Sequence, residues 1–207
     1  MPVRIYYAIF IPMIFRSFIA IEISPLIQSA ISRQMTDLKK LFPNPDIRWV
    51  PTNNIHLTLK FLGDVSTQDL DILAKTLSAE INQLGSFSIP FSETGVFPNA
   101  RKPRIIWIGL SYQTNLVSLH KIIEATTSRL GFPSEERSFS PHITLGRVSE
   151  KFTPANFQKL LDNLRSIDIS SIAPISIDSI TIFKSDLKPN VPVYSVLNTI
   201  PLMNSIY

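Results

Sequence analysis

Asn54-Ile55-His56-Leu57-Thr58-Leu59-Lys60-Phe61-Leu62-Gly63 contains a four-residue frame, His56-Leu57-Thr58-Leu59, that returns in the second half of the chain as His142-Ile143-Thr144-Leu145. Polar and large apolar residues alternate in both frames, which is the period of a strand with one buried face. Successive strand side chains point to opposite sides, so each His and its Thr share a face, about 7 Å apart. Each face pairs an imidazole that exchanges protons near pH 7 with a hydroxyl that can donate to an oxyanion. Two such faces brought together make an acid–base site with no call for a metal.

Strict alternation assigns the remaining residues of the two motif strands, Ile55–Leu62 and Ile143–Val148. It joins Lys60 to His56 and Thr58, and puts Leu57, Leu59 and Phe61 on the core face. In the second strand Gly146 joins His142 and Thr144, leaving room for close approach of a substrate, while Arg147 falls on the opposite face. Working outward, Phe18–Ile21 reads as a buried strand, with the core strand spanning Arg16–Ile23. Ser24-Pro25 starts a helix carrying Leu26, Ala30, Ile31, Met35 and Leu38 and ending before Pro43. Arg48–Val50 is a short strand. Gly63-Asp64 stops the first motif strand, and Ser66 with Asp69 caps a helix carrying Leu70, Leu73, Ala74, Leu77 and Ile81. Phe87–Phe97 and Arg104–Leu110 read as paired strands, Leu116–Leu130 as a helix ended by Gly131, and Pro154–Leu164 as a shorter helix. Strands at Ile175–Phe183 and Tyr194–Ile200 close the chain. Helices between pairs of strands predict an α+β fold with antiparallel sheets. Each half runs strand, helix, motif strand, which suggests an internal duplication.

Composition narrows the chemistry. The chain has 207 residues, 44% of them hydrophobic and 17% charged, so it folds around a sizeable core. It has no cysteine, which excludes disulfides, thiolate catalysis and cysteine-ligated metals and fits the cytoplasm. A net charge of +4 and a pI near 9.4 give a mild bias toward anionic partners. Ile5 to Phe15 is an uncharged apolar run, too short for a bilayer span of about 20 residues. Residues 1–15 are therefore expected to be an extension and 16–207 a single domain.

At one phosphate, two imidazoles divide the work: the neutral one takes a proton from the attacking water or hydroxyl, and the protonated one gives a proton to the leaving oxygen. The threonine hydroxyls donate to the non-bridging oxygens as charge builds on them. A bell-shaped pH–rate profile around 6.5 is expected. A binding module that merely holds phosphate is the competing reading, but arginine would serve it better.

The frames, their flanks Asn54–Gly63 and Phe139-Ser140-Pro141-His142-Ile143-Thr144-Leu145-Gly146-Arg147, and Phe18-Ile19-Ala20-Ile21 resemble the two-histidine phosphoesterases. Within them the match is to the RNA 2′,3′-cyclic phosphodiesterase group, also called 2′-5′ RNA ligase-like, over Arg16 to Leu197. The resemblance implies a bilobal α+β fold, two pseudo-symmetric lobes whose motif strands face each other across a central cleft. It implies hydrolysis of a terminal 2′,3′-cyclic phosphate on RNA to a 2′-phosphomonoester without metal or other cofactor. His56 would be proton donor and His142 proton acceptor, with Thr58 and Thr144 on the phosphate; the residues themselves do not tell donor from acceptor. The alternatives are 2′-5′ RNA ligation, another cyclic phosphoesterase, or RNA binding without catalysis. A cytoplasmic monomer acting on RNA, with no membrane partner, is expected.

Other residues have a functional and a plainer role open to them. Arg101, Lys102 and Arg104 crowd a loop between strands, where they contact an RNA backbone or simply face solvent. Lys60 and Arg147 flank the frames as phosphate contacts, with an ion pair as the alternative for Arg147. Arg137 and Phe139 either hold a terminal base or pack their loop. His120 has no threonine at the right offset and reads as a helical histidine. Trp49 and Trp107 are expected in the core.

Overall fold

The computed structural model describes residues 13–99, 101–189 and 191–202, so most of the apolar extension expected at 1–15 lies outside the described residues. The first strand, β1 (Ile14–Glu22), already includes Ile14 and Phe15. It is followed by α1 (Pro25–Leu41), β2 (Ile47–Trp49), β3 (His56–Ser66) and α2 (Thr67–Ile81). Then come β4 (Phe87–Ile89), β5 (Phe91–Phe97), β6 (Ile105–Leu110), α3 (Thr114–Arg129), β7 (His142–Val148), α4 (Pro154–Leu164), β8 (Ile175–Ile177), β9 (Ser179–Asp186) and β10 (Val193–Pro201).

Local chemistry sets the helix ends. The Ser24 side chain accepts from Ile27 N–H and Pro25 occupies the first turn of α1. The Ser66 hydroxyl accepts from Asp69 N–H at 3.1 Å and donates to its carboxylate at 2.7 Å, closing a reciprocal cap on α2. Gly131, at φ +88°, ends α3 in the left-handed conformation that favours glycine. Three strands differ from the sequence-based expectation, the last being Ile175–Phe183, which breaks at Asp178 into β8, paired with β4, and β9, paired with β1 and β10. Pro90, with no N–H to donate, divides the expected Phe87–Phe97 strand into β4, which pairs with β8, and β5, which pairs with β6. Gly63, at φ +75°, bends β3 at a shift in its pairing instead of ending it.

The main sheet is antiparallel in order β10-β9-β1-β3-β7-β6-β5, with β2 also paired to β7. The halves of the chain interlock: β9 and β10 complete the sheet of the first half, and β2 is lent to the second. The motif strands β3 and β7 are neighbours joined by one residue pair, Leu57 with Ile143; β3 otherwise runs along β1, and β7 along β6 and β2. Leu57 and Ile143 are fully buried, and the four described helices bury apolar residues in the same continuous core, with Ile27 on α1 taking the place expected of Leu26, which is 73% exposed. Among the described residues no helix covers the opposite face of the sheet, and that face carries the histidines.

Each motif strand breaks alternation at the same place. On β3, Thr58 pairs with Ala20 but Lys60 with the next residue, Ile19, so Leu59 is an extra residue. On β7, Thr144 pairs with Trp107 but Gly146 with Ile106, so Leu145 is extra. These are β-bulges, and each reverses the faces of the residues that follow it, on β3 as far as the next shift at Leu62. Lys60 therefore turns to the core, contrary to strict alternation. Its side chain is 0% exposed, with Nζ 2.9 Å from Glu124 Oε2 and 2.6 Å from the Pro133 carbonyl. Phe61, expected in the core, is 61% exposed on the open face. Gly146 also faces inward: a Cβ there would meet Ile47 and Trp49 at 3.2 Å, so it makes room for β2 and not for a substrate.

Removing one partner of a buried ion pair leaves the other charge uncompensated. Lys60→Met is expected to lower stability by about 3 kcal/mol, while Lys75→Met on an exposed turn of α2 changes it by less than about 0.5 kcal/mol. Urea unfolding of both variants checks this. Equal, small losses would contradict the inward turn of Lys60.

Candidate active site

The register at the strand junction arranges the four motif residues. With Leu57 opposite Ile143 in an antiparallel pair, one step either way sets His56 against Thr144 and Thr58 against His142. The two histidines thus occupy one diagonal of a four-residue patch and the two threonines the other, related by a local two-fold axis. From strand geometry the histidine diagonal spans about 8 Å between backbones.

Both rings are aimed by the same device. His56 Nδ1 lies 2.8 Å from the Asn54 carbonyl, and His142 Nδ1 lies 2.8 Å from the Ser140 carbonyl, in each case two residues upstream. A carbonyl only accepts, so the proton of the neutral ring sits on Nδ1 and Nε2 is left for chemistry. Asn54 is itself anchored, its side-chain amide donating to the Pro192 carbonyl at 2.8 Å, just ahead of β10.

Aromatic rings enclose each histidine. Phe18, Tyr194 and Phe183 lie 5.0, 5.3 and 6.4 Å from the His56 ring, and Phe61 packs on Phe18 at 6.2 Å. Phe97 meets the His142 ring edge-on at 5.0 Å and Trp107 lies at 6.4 Å. Trp107 is thus not in the core, where the sequence places it; its indole lies flat over Gly95, where any Cβ would collide with it. Trp49 is half-buried and packs against the core, with Lys39 Nζ 5.6 Å from its ring.

Burial is the main reason that both histidines have pKa values below the usual 6.5; the backbone carbonyls pull the other way, and the Arg147 cation adds to the lowering. His142 lowers His56 further. Tyr194 is pushed up, chiefly by burial and against Arg147, so it stays a phenol. Arg147 thus acts electrostatically on both imidazoles and on Tyr194. The bulge at Leu145 accounts for this, because it returns Arg147 to the histidine face, opposite to the side that strict alternation assigns.

The other candidates read from the sequence, Lys60 apart, scatter. Arg104 pairs with Glu150 at 2.8 Å. Arg101 and Lys102 are exposed, their backbone N–H groups held by the Asn99 side chain at 3.0 and 3.1 Å. Phe139 stacks on His120 with ring centres 3.9 Å apart; Arg137 is exposed in the same loop. Among the described residues no three His, Asp or Glu side chains gather as metal ligands. Sequence reasoning missed Phe18, Phe61, Phe97, Trp107, Phe183 and Tyr194. The signal available for one of them was positional: Phe61 and Arg147 stand at the same offset from their histidines.

Known proteins bear on this geometry. A family model described as LigT like Phosphoesterase matches the chain twice, over residues 21–107 and 108–194, one His-x-Thr strand in each copy. An RNA 2′,3′-cyclic phosphodiesterase of Methanocaldococcus jannaschii is 36% identical over 183 residues, 88% of this chain and 98% of its own. One from Thermotoga maritima is 34% identical over 182 residues, 88% of this chain and 92% of its own. Among solved structures, E. coli LigT complexed with 3′-AMP matches with a TM-score of 0.69 at 25% identity, over 93% of this chain and 100% of its own. Kluyveromyces marxianus Usb1, 11% identical with a TM-score of 0.52 over 91% of this chain and 98% of its own, shares the fold alone. The two-fold relation seen between the motif strands is thus also the relation between two copies of one sequence unit, and the chain belongs to the LigT-like phosphoesterase family.

Proposed function

We propose that this protein is an RNA 2′,3′-cyclic phosphodiesterase that opens a terminal cyclic phosphate to a 2′-phosphomonoester by two-histidine acid–base catalysis. The observation that carries this reading is the diagonal pair of imidazoles, each with Nδ1 tied to a carbonyl and Nε2 free. The names of the relatives from Methanocaldococcus jannaschii and Thermotoga maritima support the substrate class.

In the proposed reaction, neutral His142 takes a proton from water through Nε2 as the water oxygen bonds to phosphorus. The bond from phosphorus to the 3′ oxygen breaks in line, and protonated His56 supplies the proton that oxygen needs. Water, one proton shuttled each way and the cyclic diester thus yield the 2′-phosphate and a 3′ hydroxyl. Thr58 and Thr144 donate to the non-bridging oxygens and Arg147 compensates their charge. The aromatic walls exclude water, which strengthens these contacts. Hydrolysis needs only this pair; ligation would use the same groups with an RNA 5′ hydroxyl in place of water. Arg101 and Lys102 are offered as contacts to the RNA backbone upstream of the terminus. No helix among the described residues is long and apolar enough to cross a membrane; we place the enzyme in the cytoplasm as a monomer, which fractionation and sedimentation test.

Incubation of an oligonucleotide ending in a 2′,3′-cyclic phosphate, in excess chelator, is expected to give a 2′-phosphate terminus. His56→Ala and His142→Ala each reduce kcat by about a thousandfold or more. Wild-type turnover by the double-alanine protein would contradict the proposal. A substrate with sulfur in place of the 3′ oxygen leaves as a thiolate and needs no acid, so it is expected to rescue His56→Ala and not His142→Ala. The reverse rescue would exchange the two roles.

The pH dependence follows from the direction of the shifts. The base must be deprotonated and the acid protonated in the free enzyme, and both pKa values lie below 6.5. Both limbs of the kcat/KM profile are therefore expected on the acid side of 6.5. Arg147→Met removes a cation that opposes protonation of both rings, so the maximum moves to higher pH, and KM rises on the order of tenfold as a charge-assisted contact is lost. An unmoved profile with unchanged KM would place Arg147 outside the site.

A further inference from the structure

We infer that His120, which the reaction above does not use, is a positioning residue for His142. The segment 131–141 between α3 and β7 contains no helix or strand, yet its Ser140 carbonyl fixes the proton on His142 Nδ1. What steadies this segment lies outside the open face. The Phe139 ring, next to Ser140, is stacked on the His120 ring at 3.9 Å between centroids and 12° between planes. Beside His120, one turn on along α3, is Glu124, whose Oε1 lies 3.9 Å from His120 Nε2 and packs against it without a hydrogen bond. The other oxygen of Glu124 accepts from Lys60 of β3 at 2.9 Å and from the backbone N–H of Glu135 at 3.3 Å. Lys60 also donates to the Pro133 carbonyl.

A continuous set of contacts thus runs from the first motif strand to the second behind the sheet: Lys60, Glu124, His120, Phe139, the Ser140 carbonyl, His142. Its first link exists because the bulge at Leu59 turns Lys60 away from the histidine face. On the far side, the Pro141 carbonyl accepts from Leu110 N–H at 3.0 Å. Ser140 is therefore gripped on both flanks, by the Phe139 stack before it and by β6 after it. Loss of the stack frees the backbone at Ser140 to turn about ψ, which swings the Ser140–Pro141 peptide and its carbonyl, and a carbonyl that leaves Nδ1 lets the proton move to Nε2, the nitrogen needed as a base. Displacements of about 1 Å remote from the chemistry can cost up to a hundredfold in rate. Charged groups facing His120 are Glu124 on its own helix, Lys60 from β3 and Glu135 from the segment itself; burial keeps its pKa below the usual value, so near neutral pH the stack is between two uncharged rings.

Nitrogen-15 NMR of the ring nitrogens tests this directly, since the chain has only three histidines. In His120→Ala the His142 signals are expected to move from the Nδ1–H tautomer toward a mixture, with His56 unchanged. His120→Phe, which keeps a ring against Phe139, is expected to restore the wild-type tautomer. With a cyclic-phosphate nucleotide, where the inference rests on the phosphodiesterase reading, kcat falls about tenfold in His120→Ala with KM within about twofold, and returns in His120→Phe. Should His120→Ala not fold, Phe139→Ala removes the same stack from the other side and is expected to give the same tautomer change. An unchanged His142 tautomer in the folded alanine variant, or a phenylalanine variant as impaired as the alanine one, overturns the inference. An inactive wild type would count against the phosphodiesterase reading alone, because the tautomer measurement needs no substrate.

Discussion

One residue pair in the middle of the sheet, Leu57 against Ile143, sets the geometry of everything functional in this protein. It is the register position at which the two motif strands meet, and both of its side chains are completely buried. Burial of that pair forces the residues on either side onto the opposite face, and antiparallel direction makes each His the neighbour of the other strand's Thr. A slip by one residue would send the histidines into the core and the leucines to the open face. The register is thus held by the hydrophobic core, and the active-site geometry follows from it with no further specification.

The junction is also where the two halves exchange strands. With β9 and β10 beside β1, and β2 beside β7, neither half completes its sheet alone. The exchange serves the site: β10 brings Tyr194 to His56, and Asn54 both holds His56 and anchors the chain entering β10. Enclosure by rings desolvates the imidazoles and lowers their pKa values, while the upstream carbonyls oppose that lowering and fix the tautomer. The site therefore has rings that are apolar in surroundings yet committed in orientation, and a cation, Arg147, that biases both toward the neutral form.

The frames themselves are plain in the sequence, because His-x-Thr within apolar alternation fixes face, spacing and chemistry together. So are the helices, whose caps at Ser24 and Ser66 and stop at Gly131 are local signals. The positions just beyond the frames are not. Strict alternation sends Lys60 toward the substrate and Arg147 away, and both bulges reverse this. A bulge depends on how the neighbouring strand is paired, here β1 for Leu59 and β6 for Leu145, so nothing within the motif strand announces it. The aromatic walls are hidden for a related reason. Phe18 looks like one more apolar residue of a core strand, and Trp107 like a core filler, until sheet order puts both beside a histidine. The third histidine is separable from the other two by spacing, but its stack on Phe139 is a tertiary contact that sequence leaves open.

The proposed function requires that His56 and His142 face a single phosphate. Titration of the protein with inorganic phosphate, followed through the ring signals of all three histidines, tests it most directly. His56 and His142 are expected to shift together along one binding curve with a common dissociation constant, while His120 moves little. A response from only one of the pair, or two curves with different constants, would contradict a shared site.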